Sequence, residues 1–363
     1  MPIKTYQIAR LSILLGIFFL HTVANANPKI SDQPITPFKL ATFEANNSPK
    51  IGIAIQGKLL DLSAANHYVS KKFSLSDISI PDDMLSLIEQ YHNLSHRLYQ
   101  IANHFSEENY FSKNKHPFVF DPKNVSFKAP IKYPYNLLAA AANYKSHADE
   151  MSSPTQGRPM ALGVDIDNEG PHMFAKSPRS TIIDPGEPYY IAGGVNIDWE
   201  AELAIIIGRP AYKVTLEKAH DHVFGYSIIY DVSIRGGKNL EPLNKMIPGV
   251  NWFRGKSSDR AAPFGPYIVP KEFIKADNLR ITTKINGVTK QDGNSKDMIY
   301  NEDYLIRFVT SVMTLYPGDI IATGTPDGVG AARTPPEFLK PGDLVEISIE
   351  GIGTLVTPMK STK

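Results

Sequence analysis

Cysteine is absent from the 363 residues. That excludes a disulfide framework, a thiolate metal site and a cysteine nucleophile. An excess of one charge sign is missing too: 38 Lys and Arg stand against 37 Asp and Glu, a formal +1. So even a balance provides neither the basic footprint of a nucleic-acid binder nor an acidic solvating tail. There are no internal repeats and no low-complexity tract. Long apolar runs are scarce. LSILLGIFFL, Leu11 to Leu20, is apolar throughout, but it is shorter than the ~20 residues a membrane-spanning helix needs.

What surrounds that run gives it a purpose. Lys4 and Arg10 precede it with no acid, and HTVANAN follows with Ala24 and Ala26 in an A-x-A arrangement. This is the pattern of a secretory signal peptide, residues 1–26, cleaved after Ala26. The alternative is an uncleaved anchor. Cleavage implies a periplasmic or secreted protein with no membrane attachment. Such a chain, lacking disulfides, must be held by its core alone. At 42% hydrophobic and 21% charged it has the composition of an ordinary globular protein, and its length suffices for a core.

Residues 27–130 read as a small N-terminal domain. Ile51 to Ile55 predicts a strand and Gln56-Gly57 a hairpin turn. Leu85, Leu87, Ile88, Tyr91, Leu94, Leu98 and Ile101 recur at helical spacing, which predicts one amphipathic helix over 82–105. The boundary falls near residue 130, at KAPIKYPYN. Residues 131–363 are rich in strand patterns: EAELAIIIG, VFGYSIIYDVSIR, FGPYIVP, LRITTKING and LVEISIEGIGTLV. NEDYLIRFVTSVMTLYPGD predicts a helix that starts near Asn301 or Asp303 and ends before Pro317-Gly318. SSPTQGRPMALGVDIDNEGPH is a long polar loop, a length usually kept for function or mobility.

Glu200 and Glu202 stand one residue apart before Leu203-Ala204-Ile205-Ile206-Ile207. On a strand both face one side. Either that face is solvated or a cation lies between them. Asp231, flanked by Ile228-Ile229-Tyr230 and Val232, is costly to bury unpaired. If the two strands are neighbours, three carboxylates converge, a set suited to Mg²⁺ or Mn²⁺, or to Ca²⁺ with more ligands. His147 and Glu150 are i, i+3, which on a helix is either an exposed pair or a general base with its orienting acid. Arg235 and Lys256 could hold a carboxylate or enolate oxygen, or could be surface charges. ATGTPDGVG places Thr325 in a glycine-bounded loop without the Lys of a nucleotide-binding P-loop. DIDNEG opens like an EF-hand, but its bidentate position is Lys176, which rules that motif out.

NYKSHADE, MFAKSP, DWEAELAIIIG, GYSIIYDVSIR, WFRGKSSDRAAPFGPYIV, YPGDIIATGTPDGVG and KPGDLVEISIEGIGTL, taken in order, resemble the fumarylacetoacetate hydrolase (FAH) family over about residues 131–360. ATFEANNSPKIGIAIQGKLLDLSAA is similar to the leading domain of its two-domain members. The resemblance implies an α+β fold, predominantly β: a mixed β-sandwich or β-roll catalytic domain behind a small N-terminal α/β domain. It implies a homodimer binding Mg²⁺, Mn²⁺ or Ca²⁺. The family's metal ligands fall on Glu200, Glu202 and Asp231. Its water-activating pair falls on His147 and Glu150, in a lid, and its substrate contacts on Arg235, Lys256 and Thr325. The implied activity is hydrolysis of a C–C bond in a small 1,3-dioxo or 2-oxo acid. Isomerisation, hydration or decarboxylation on the same site, or capture of an exported oxo acid without turnover, are the alternatives. The chain departs from the family pattern DVSARDxQ with DVSIRGGK, so that Gly236 and Lys238 replace Asp and Gln. Ala140, Ala141 and Ala142 stand where some members carry a fourth carboxylate, which leaves three acids for the metal.

Overall fold

The computed structural model describes residues 30–151, 170–237 and 252–362. The leader, most of the long polar loop and Lys238 lie outside the described residues. Three sheets make up most of the molecule. The first, near the N-terminus, is antiparallel, in the order Val119–Phe120, Lys58–Asp61, Ser48–Ile55, Lys39–Ala45, Ser126–Lys128. Helix Leu62–Phe73 follows, capped by the Asp61 side chain, which accepts from Ala64 N at 3.2 Å. The amphipathic stretch expected as one helix is two, Met84–Glu89 and Tyr91–Phe105, broken at Gln90. The break re-aims the chain, so that Met84, Leu87 and Ile88 and then Leu94, Leu98 and Ile101 all reach the core.

The second sheet has six strands, ordered Val269–Pro270, Val223–Tyr230, Ala201–Ile207, Ile320–Ala322, Leu137–Ala141, His172–Ala175. Of FGPYIVP, Val269–Pro270 forms a strand of this sheet and Phe264 makes an isolated bridge to Ile229, with Pro266, which has no N–H to give a ladder, between them. The third sheet runs Val288–Asn294, Arg280–Ile285, Leu344–Ile349, Gly353–Ser361, Tyr189–Ile191. Helix Glu302–Val312 starts with Asn301 as its cap. No helix among the described residues is long and apolar enough to cross a membrane. The fold is thus the expected mixed, mostly sheet architecture.

Strand Ala201–Ile207 is buried along its whole length. Leu203, Ile205 and Ile207 enter a core shared with Ile281, Ile347 and Leu355 of the third sheet. Ala204 and Ile206 face the other way, into a core shared with Phe38, Leu87 and Leu98 of the N-terminal region. That explains the unbroken LAIII run: both faces of the strand are covered, so neither alternates with polar residues. Each buried Ile or Leu contributes about 1.5–3 kcal/mol of burial free energy. The strand is therefore a rigid mount for what stands at its start.

Candidate metal centre and acid–base pair

Glu200 directly precedes that strand and Glu202 lies within it, and the two side chains face one side as their spacing expects. Antiparallel register completes the arrangement. Ala201 pairs with Tyr230, and Asp231 N donates to Glu200 O at 3.0 Å. Asp231 is thereby carried to the Glu200 backbone as the neighbouring strand ends. One carboxylate oxygen from each of Glu200, Glu202 and Asp231 lies within 4.8 Å of the others, and all three residues are buried. Gly324 N donates to Glu202 Oε2 at 2.8 Å.

Two of the cations singled out in the sequence meet these acids directly. Lys256, at the end of helix Trp252–Lys256, donates to Glu200 Oε2 at 2.6 Å, Asp231 Oδ2 at 2.5 Å and Ser233 Oγ at 2.7 Å. Arg235 bonds Glu200 and donates through Nε to Asp198 Oδ2 at 3.0 Å. Residue-by-residue reading passed over two further groups. Lys176, just past strand His172–Ala175, is buried and bonds Asp231 Oδ1. Its sequence signal is a lysine directly after the apolar Phe174-Ala175. Asp198 extends the Glu200/Glu202 alternation backwards by one step. It is fully buried and accepts from Gly330 N at 2.6 Å and Ala331 N at 3.2 Å as well as from Arg235.

The charges pull the acids apart in behaviour. Burial opposes ionisation of Glu200, but Lys256, Arg235 and nearby His147 outweigh it and hold the carboxyl below its usual range. Glu202 moves the other way: burial, then the like charges of Asp231 and Glu200, push it well above that range. Burial lowers the Lys176 ammonium despite Asp231. Lys256 is raised, because Asp231 and Glu200 overcome burial. Buried hard oxygen donors with one acid crowded by like charge fit a hard divalent cation, whose charge removes that repulsion.

His147 and Glu150 stand on helix Lys145–Met151. His147 Nδ1 and Glu150 Oε1 are 2.7 Å apart, and Gly328 N donates to Glu150 Oε2 at 2.9 Å. A carboxylate that accepts from both leaves the proton on Nδ1 and the lone pair on Nε2. Asn143 ties down the helix entrance. Its Nδ2 donates to Tyr300 O at 2.9 Å and Thr323 O at 2.8 Å, while its Oδ1 accepts from Tyr300 N at 2.8 Å. Gly328 has φ +96°, and a Cβ there would lie 2.3 Å from Lys290 O, so the turn that meets Glu150 requires glycine.

Thr325 is 2% exposed, and its Oγ1 accepts from Gln291 Nε2 at 2.8 Å. In RGGK a Cβ on Gly236, which stands where the family pattern has Asp, would meet nothing within 4 Å, whereas the next glycine is confined. Gly237 pairs with Val195 in the short ladder Val195–Asp198/Ser233–Gly237, and a Cβ on it would lie 2.1 Å from Gly194 O. The backbones approach too closely for any side chain there.

Comparison with known proteins adds the following. The family described as fumarylacetoacetate (FAA) hydrolase C-terminal matches residues 136–360. Oxaloacetate tautomerase YisK of Bacillus subtilis is 36% identical over 322 residues, 87% of this chain and 98% of the relative. Oxaloacetate tautomerase fahd2, mitochondrial, of Xenopus laevis is 32% identical over 336 residues, 91% of this chain and 92% of the relative. Among solved structures, a fumarylacetoacetate hydrolase from Exiguobacterium antarcticum superposes with TM-score 0.66 at 30% identity, covering 90% of this chain and all of that one. A maleylpyruvate hydrolase from Sphingobium sp. SYK-6, in complex with manganese (II) ion and pyruvate, superposes with TM-score 0.63 at 25% identity, covering 90% and 100%.

Proposed function

The chain belongs to the fumarylacetoacetate hydrolase family, and on that premise we propose a divalent-metal-dependent enzyme that interconverts the keto and enol forms of a small 2-oxo dicarboxylic acid. The observation that carries the reading is the chain Gly328 N–H, Glu150, His147 beside the three acids. It orients an imidazole with a free Nε2, the group needed to take or return a proton next to a keto group. A divalent ion held by Glu200, Glu202 and Asp231 would supply Lewis acidity toward adjacent substrate oxygens. Arg235, Lys176 and Lys256 are the cations paired with Asp198, Glu200 and Asp231. A dication added there would offset the acids and leave the cations to meet an anionic substrate. Two relatives that match nearly the whole chain bear the name oxaloacetate tautomerase, and that puts tautomerisation ahead of the hydrolysis expected from sequence.

C–C hydrolysis of an acylpyruvate is the second reading. The same Nε2 would then take its proton from water, and the fold likeness to a maleylpyruvate hydrolase favours it. One experiment separates the two. The ultraviolet decay of oxaloacetate enol and the release of pyruvate from an acylpyruvate are followed with Mg²⁺, Mn²⁺ or Ca²⁺ and after chelation. Accelerated, metal-dependent enol decay is expected. Pyruvate release without it would move the assignment to hydrolysis, and activity indifferent to chelation would sink the metal role.

We propose further that residues 1–26 export the protein, that residues 27–130 and 131–363 are its two domains, and that it works as a homodimer. Fractionation of cells expressing the full chain tests the first of these. An unprocessed protein confined to the cytoplasm would refute it.

A further inference from the structure

Gln291 lies on strand Val288–Asn294 of the third sheet, away from the sheet that carries the acids, and is 1% exposed. Its side-chain amide makes four hydrogen bonds. Oε1 accepts from Ala201 N at 3.1 Å and from Thr283 Oγ1 at 2.7 Å. Nε2 donates to Pro326 O at 2.8 Å and to Thr325 Oγ1 at 2.8 Å. Two of these partners remove any choice of amide orientation. The Ala201 N–H can only donate and the Pro326 carbonyl can only accept. Nε2 therefore faces Thr325, and the threonine hydroxyl is the acceptor in that bond.

A hydroxyl that accepts from a fixed donor keeps its own proton for a different partner. Among the described residues no acceptor takes that proton. Thr325 follows Gly324, whose N–H holds Glu202, so the hydroxyl belongs to the loop that walls the acid cluster. Gln291 also holds the amide of Ala201, the residue between Glu200 and Glu202. One buried amide thus joins the acid-bearing strand to the loop that carries Thr325.

We propose that Gln291 is a positioning residue that turns the Thr325 hydroxyl proton toward the substrate. The substrate atom that takes that proton is an acceptor, a carboxylate or enolate oxygen. This rests on the reading above that Thr325 faces the substrate. It gives the polarity of that contact and the residue that sets it.

The test is a double-mutant cycle in kcat/KM on oxaloacetate enol, with Mn²⁺ affinity measured on each variant. Gln291→Glu keeps the acceptor toward Ala201 and Thr283 but turns the Thr325 contact round, so that the carboxylate captures the hydroxyl proton. Thr325→Val removes the hydroxyl. Each is expected to lower kcat/KM about 10- to 100-fold, the worth of one charge-assisted hydrogen bond, with Mn²⁺ affinity little changed. The double variant should be no worse than Thr325→Val alone. Additive losses, or full activity of Gln291→Glu beside a crippled Thr325→Val, overturn the role of Gln291 and leave the functional reading standing. A fully active Thr325→Val overturns the substrate-side placement itself. Should Gln291→Glu fail to fold, Gln291→Met, uncharged and of similar length, takes its place. It leaves the hydroxyl free but no longer oriented, so it must lose activity, though less than Thr325→Val; no loss, or an equal or larger loss with Mn²⁺ affinity kept, counts against the proposal.

Discussion

Glu200, Glu202 and Asp231 stand at the ends and edges of two paired strands inside a sheet covered on both faces, whereas His147 stands on a seven-residue helix at the rim of the same site. The acids are placed by strand register. Every pair from Ala201–Tyr230 to Ala204–Ser227 helps to hold them, and moving one would mean slipping the whole ladder. His147 is placed by a few polar contacts: Glu150 to Gly328, and Asn143 to Tyr300 and Thr323. Side-chain bonds of this kind form and break far more readily than a buried sheet shifts. A site that works as proposed, binding a cation and moving a proton, would gain from holding its two halves by different means.

The largest effects should come from cutting the two halves separately. Glu202→Gln removes a ligand and should cost metal affinity and activity together, beyond the roughly 10–100-fold typical of outer partners. Without metal, the same variant should melt no lower than the parent, because it removes an acid pushed up by burial and by like charge from Asp231 and Glu200. His147→Ala should lower kcat by about 10²–10⁴-fold with metal affinity intact. Titration of Mn²⁺ against each variant, beside its rate, checks both. Loss of metal binding in His147→Ala would erase the distinction between the halves.

Asp198→Asn comes next. Asp198 touches no metal ligand atom directly, but it anchors Arg235 and accepts from Gly330 and Ala331. An amide can keep some of those bonds but not the charge opposite Arg235. A loss of about 10–100-fold in kcat/KM is expected. Parent-like kinetics would show that Arg235 is held well enough by Glu200 alone.

The smallest effect lies outside both halves, at the start of helix Glu302–Val312. His220 Nδ1 and Glu302 Oε1 are 2.7 Å apart, and that hydrogen bond to the acid raises the imidazole above its ordinary value. The folded protein then holds the proton more tightly than the unfolded chain, whose His titrates near ~6.5. The stabilisation is complete below that pH and fades as pH rises through the raised folded value. His220→Asn should narrow the difference in melting temperature between pH 5.5 and pH 9 slightly, since His220 is largely exposed. A pH profile that matches the parent would mean the pair contributes nothing measurable.

The sequence carried the parts of the site that follow a short period. Glu200 and Glu202 are separated by one residue, and His147 and Glu150 by a helical turn; such spacings are set by local geometry. Asp231 was legible because a carboxylate stood among Ile228, Ile229, Tyr230 and Val232. Lys176, Asp198 and Gln291 were not seen as parts of the site. Lys176 and Asp231 are 55 residues apart, and Gln291 and Ala201 are 90 apart. No local pattern records such meetings, which depend on how the sheets stack. The single helix expected over 82–105 failed for a related reason: the apolar period was right, but the core it serves takes a bend at Gln90.

Composition and order of motifs, then, decided the family and the mostly-sheet fold and singled out the acids and the histidine that the structure brings together, because each of these leaves its mark within a few residues of chain. Tertiary structure alone decided which cation pairs with which acid, why Glu200 and Glu202 titrate in opposite directions, and which way Thr325 points its proton. Those are consequences of burial and of contacts between distant segments, and they come into being only when the second and third sheets close on one core.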